Sequence, residues 1–91
     1  MKILVICRPR DGVDPQAEIA PRAAAEMATL RGLRDQGLLL EAYSPGGPGA
    51  VLIFDGVLED VDRALNTLPL VQDGIIETEI IELQPFAALN E

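Results

Sequence analysis

The sequence predicts an α+β domain in the order β-α-β-β-α-β, a four-stranded antiparallel sheet with two helices on one face. Three observations carry this. Strand-like runs open and close the chain, "KILVICR" at 2–8 and "GIIETEIIELQPF" at 74–86. Two helix-periodic stretches, 16–36 and 57–70, stand between strand-like runs. The length, 91 residues with 48 % apolar side chains, suits a single domain, 1–91, with one modest core.

The first strand is apolar on both parities: Ile3, Val5 and Cys7 face one way, Leu4 and Ile6 the other, as in a strand covered on both sides. "PRDGVDP" (9–15) is turn-rich, and Asp14-Pro15 suits a helix start. Pro21 cannot donate to the carbonyl four residues back, so a short first turn or two should precede the main helix, about Pro21 to Gln36. Gly37 is the expected cap. Gly32, inside the helix, costs about 1 kcal/mol relative to alanine, and close packing is one reason to keep it. "LLLEAYS" (38–44) and "AVLIFD" (50–55) are the next two strands. "PGGPG" between them is a hairpin turn rather than a phosphate loop, because a strand follows it and no lysine occurs after Lys2. In the second helix Val57, Val61, Ala64, Leu65 and Leu68 form one stripe, with Glu59, Asp60 and Asp62 near its N-terminal end and Pro69 as its stop. The tail "AALNE" has no obvious partner within the chain.

This order is the ferredoxin-like arrangement. Two helices shield one face of the sheet only, yet the strands are apolar on both. A second copy packed sheet to sheet is the expected cover, so the chain should be at least a homodimer.

Composition excludes several classes. The net charge is −8, and residues 46–91 hold nine acidic groups against one basic group, Arg63, so nucleic acid is not an expected partner. No basic amphipathic helix or apolar run of spanning length suggests a membrane. "MKILVIC" is too short for a signal peptide, and a soluble cytoplasmic protein is expected. The single cysteine, Cys7, allows no intrachain disulfide and reads as a buried inert thiol. Without histidine, a zinc site, a Ser-His-Asp triad and haem ligation by histidine are not available, and no metal or cofactor is expected. Glu77, Glu79 and Glu82 read as a solvated strand edge rather than a metal site.

Glu26 is the main candidate for chemistry. At 100° per residue with Met27 at 0°, Leu33, Ile19, Leu30 and Ala23 span roughly 240° to 320°, and Glu26 falls at about 260°, inside this apolar arc. Desolvation there raises a carboxyl pKa, whereas a pair with Arg22, four residues earlier, lowers it. Glu26 is therefore either a desolvated general base or an arc-edge residue paired to Arg22 or snorkelling to water. Tyr43 is a candidate donor to a substrate carbonyl, or else a core cap or interface residue. Arg8 is a candidate to hold a substrate carboxylate, or else pairs with Asp11 or Asp14. Arg22 is a further candidate substrate contact.

"TLPLVQDGIIETEIIELQPF" (67–86) resembles the muconolactone isomerase group within the dimeric α+β barrels, where the second helix ends in Leu-Pro-Leu and feeds the last strand. Aligning the helix-ending glycine on Gly37 brings a family glutamate onto Glu26. The likeness covers nearly the whole chain on short, mostly structural motifs. It implies a homodimeric barrel and a proton shift between carbons of an unsaturated lactone during aromatic degradation, with Glu26 as the base. The chain departs from the group in lacking histidine and in carrying "PGGPG" where an aromatic-rich connection is expected. Three functions follow as expectations: an isomerase acting on a small unsaturated lactone or enone, a non-catalytic small-molecule-binding or accessory module, and a structural dimer.

Overall fold

The computed structural model describes residues 1–89. The chain runs β1 (Lys2–Pro9), α1 (Ala23–Asp35), β2 (Leu39–Tyr43), β3 (Ala50–Asp55), α2 (Leu58–Leu65), a four-residue helix α3 (Pro69–Gln72) and β4 (Ile76–Glu82). The strands form one antiparallel sheet in the order β2-β3-β1-β4, the ferredoxin-like fold. A 3-10 turn, Ala87–Leu89, follows the sheet; Asn90 and Glu91 of the tail lie outside the described residues.

Register assigns the two sheet faces. Ile3 pairs with Phe54, Val5 with Leu52 and Cys7 with Ala50, and all these side chains lie under the helices. Ile3, Val5, Phe54, Val61 and Leu68 are fully buried there. The alternate residues, Leu4 opposite Ile53 and Ile81, and Ile6 opposite Val51, face away from the helices. Leu4, Ile6, Val51 and Ile53 are only half-buried, and Ile81 is exposed. Arg8–Glu79 at 3.0 Å ties β1 to β4 beside this open face, and Arg10–Glu77 at 3.6 Å ties the residue after β1 to β4.

Proline explains where the helices break. Ahead of α1, Pro15–Ile19 forms a π-helical segment capped by Asp14, whose Oδ1 accepts from Gln16 N–H, and Ala20–Arg22 forms a 3-10 turn. Pro21 has no N–H, and the Arg22 guanidinium donates to the Glu18 carbonyl at 2.6 Å and pairs with Asp73 at 2.8 Å. The join is thereby fixed to the turn before β4. At the other end Gly37, at φ 77°, ends α1 as expected.

Two expectations for the second helix need correction. Pro69 does not stop it: α2 already ends at Leu65, and Pro69 opens α3, where the fixed φ suits a first turn that needs no donor. Val57 is not in the buried stripe: it is the extended residue before α2 and is 59 % exposed, while Val61, Ala64, Leu65 and Leu68 are buried.

Residues 44–49 turn the β2–β3 hairpin. Gly49 has φ 113°, and a Cβ there would collide with the Cys7 carbonyl oxygen. The hairpin can pass this close to β1 only with glycine at that position. Among the described residues no helix is long and apolar enough to cross a membrane.

Candidate functional site

Glu26 lies on the first turn of α1 at 9 % exposure, the buried charged residue of the core. Its neighbours on the same arc are Leu33, which is buried, and Ile19 and Leu30, which are half-buried. Met27, at the arc's edge, is 46 % exposed. The apolar arc of α1 thus does not seal against the sheet, and a cavity of about 180 Å³ remains beneath it. Cys7, Ala50 and Leu52 form its floor, Ile19, Glu26, Met27 and Leu30 its roof, and Gly49, Leu70 and Ile76 its sides.

A helix-end donor fixes the carboxylate. Pro69 brings no N–H to the start of α3, so Leu70 N–H is the first donor of that helix without an intrahelical acceptor. Glu26 Oε1 accepts it at 3.1 Å. Oε2 has no hydrogen-bond partner among the described residues and is open to solvent, and Glu26 is one of the residues that line the cavity. Burial raises the Glu26 pKa, and the Leu70 hydrogen bond lowers it less than burial raises it. The Cys7 thiol is pushed up to about 11 by burial and by the Glu26 charge, which keeps it protonated.

The other sequence candidates fall elsewhere. Arg22 pairs with Asp73 and Glu18 rather than with Glu26. Arg8 bonds Glu79 instead of Asp11 or Asp14, beside the open sheet face. Tyr43 pairs in register with Val51 on that same face, is 57 % exposed, and donates to Glu41 Oε2 at 3.1 Å, a contact that raises its pKa. Tyr43, Arg8 and Arg22 are therefore not brought into the cavity with Glu26. Leu70 and Gly49, which shape it, were not marked by sequence. A helix-opening Leu-Pro-Leu was the available signal for Leu70; for Gly49 only the glycine-rich turn stood out.

A chamber with one carboxylate, set between a helix and an antiparallel sheet, defines a ferredoxin-like α+β domain with room for a small ligand. Among solved structures the chain is similar to 5-chloro-2-hydroxyhydroquinone dehydrochlorinase from Burkholderia phenoliruptrix AC1100 in its complex with 2,5-dihydroxybenzoquinone. The TM-score is 0.72 over 92 % of this chain and 94 % of that chain, at 20 % sequence identity. At that identity the likeness is one of fold. No protein-family model and no curated protein sequence matches the chain.

Proposed function

We propose that the chain is a homodimeric proton-transfer enzyme of the dimeric α+β barrel type, with Glu26 as the acid–base group acting on a small cyclic enone or unsaturated lactone. The observation that carries this reading is a carboxylate with raised pKa and one uncommitted oxygen in an otherwise apolar chamber. An apolar cavity of about 150 Å³ holds a benzene ring, so a chamber of about 180 Å³ suits one five- or six-membered ring. The similar fold of a protein solved with a dihydroxybenzoquinone supports a ring of this kind.

The chemistry balances within the chamber. Glu26 takes a proton from a carbon conjugated to the ligand carbonyl, the electrons moving onto the carbonyl oxygen as an enolate. The same carboxyl returns the proton to another carbon of the conjugated system, shifting the double bond. The raised pKa brings the carboxylate closer to a carbon acid and keeps the conjugate acid available for the return step.

One feature favours a second reading, a binding module without turnover. Besides Glu26, the side-chain polar hydrogen among the described lining residues belongs to the Cys7 thiol, a weak donor for an enolate oxygen. Deuterium exchange into 2-cyclohexenone and a butenolide, followed by NMR, separates the two. Enzymatic exchange should be lost on Glu26→Gln; ligand binding with no exchange above buffer supports the module, and exchange undiminished in the variant removes Glu26 from the reaction.

A further inference from the structure

A second concavity, about 470 Å³, lies along α1 beside the Glu26 chamber, and the two share Met27, Leu30, Gly49, Ala50 and Leu52 as wall residues. Its rim carries Arg31 and Arg34. We infer that these two arginines form an anion-binding rim that holds a carboxylate of the ligand while its ring occupies the Glu26 chamber.

The charge arrangement singles them out. Arg8, Arg10, Arg22 and Arg63 each lie within 3.6 Å of a carboxylate oxygen of Glu79, Glu77, Asp73 and Asp60. Arg31 has no such partner among the described residues, and Arg34 reaches only its own neighbour Asp35, at 4.0 Å. In a chain of net charge −8, the arginines left for an anion thus meet beside the chamber. Glu41 also borders this concavity from the edge strand β2; register pairs it with Ile53 of the open face, and its carboxylate is held there by Tyr43.

Helix geometry supplies the spacing. Arg31 and Arg34 are three apart on one side of α1, and long helical side chains lean toward the N-terminal turn. Their side chains can therefore swing back toward the level of Met27 and Leu30, Arg34 by leaving its 4.0 Å contact with Asp35. That is roughly 6 Å or less along the axis from Glu26, about the reach of a ring plus one substituent. A guanidinium presents paired N–H donors to both oxygens of a carboxylate, so the rim would orient the ring as well as attract it. Arg8 and Arg22, expected from sequence to meet the substrate, are occupied by Glu79, Asp73 and Glu18.

This inference rests on the chamber being the ligand site, but its test does not need turnover. Benzoate and methyl benzoate, rings of similar size with and without charge, are titrated against the intact chain by NMR. The expected result is a preference for benzoate of about tenfold, the worth of a modest charge-assisted contact. The double variant Arg31→Gln/Arg34→Gln should lose that preference and keep methyl benzoate binding, and 0.5 M salt (roughly a 4 Å screening length) should weaken the wild-type preference. Equal binding of the two compounds by the wild type, no benzoate binding, or a preference that survives in the double variant overturns the rim. Glu26→Gln keeps the preference if the rim is right, so a loss of exchange in that variant and a loss of charge selectivity in the double variant report on separate claims.

Discussion

At the scale of single residues, Glu26 illustrates how a backbone need and a chemical opportunity meet in one side chain. Oε1 satisfies the Leu70 N–H, a first-turn donor of α3 that has no intrahelical acceptor. Burial raises the pKa of the group above its ordinary 4.5. Between the unfolded and folded values the native chain therefore holds a proton that the unfolded chain releases, and stability contributed by this group declines as pH rises through that window. Glu26→Gln keeps an oxygen for Leu70 and cannot ionise. In urea titrations the variant should match the wild type below about pH 4 and exceed it above the window, by about 1.4 kcal/mol for each unit of elevation. A wild-type-minus-variant difference that is flat with pH would contradict the desolvated carboxylate. The inward direction of Glu26 was legible from the 3.6-residue period, because Leu33, Ile19 and Leu30 bracket it on the wheel. Its partner was not, because Leu70 lies 44 residues away in a short helix opened by Pro69, a residue that pattern reads as a stop.

Within elements, two glycines, one inside a helix and one in a hairpin turn, behave in opposite ways. Gly32 lies inside α1, and an added Cβ would meet nothing within 4 Å, so close packing does not account for it. Gly32→Ala should stabilise the chain by up to about 1 kcal/mol through helix propensity and the loss of unfolded-state freedom. Gly49→Ala should cost about 2 kcal/mol or more, since it combines a positive φ with a collision against the Cys7 carbonyl. Thermal unfolding of the two variants by circular dichroism should move in opposite directions; a shift of the same sign in both would refute this contrast. The contrast also marks the limit of pattern reading. Strand existence, the two helices and the Gly37 cap follow from period and turn chemistry. Gly49 shares a positive φ with Gly46 and is set apart from it by its approach to β1, a contact made across 42 residues of chain. The π-helical and 3-10 segments ahead of α1 were foreshadowed by Pro21, whereas the Arg22–Asp73 tie that steadies them depends on a turn far along the sequence.

At the scale of the whole molecule, the sheet has one finished face and one open face. Ile3, Val5, Leu52 and Phe54 are sealed by the helices, while Leu4, Ile6, Val51 and Ile53 stay half-buried and Ile81 is 37 % exposed. The open apolar strip is bordered on the β4 side by the Arg8–Glu79 and Arg10–Glu77 pairs and on the β2 side by Glu41 and Tyr43. In the proposed homodimer a second copy packed sheet to sheet, at the roughly 10 Å spacing of packed sheets, would cover this strip. Leu4 sits between Ile53 and Ile81 near the middle of the strip. A charge introduced there would be buried without a partner in the pair, yet faces water in the single chain. Leu4→Arg should therefore convert a species of twice 9.8 kDa in sedimentation equilibrium into one of 9.8 kDa. It should also abolish the rise of the unfolding midpoint with protein concentration that an associating wild type shows. Wild-type chains that sediment as single copies at micromolar concentration would remove the dimer. The Glu26 chamber lies wholly on the helix side of the sheet. If ligand binding there survives in a monomeric Leu4→Arg chain, assembly serves stability rather than completion of the site; if it disappears while the fold remains, the site depends on the pair.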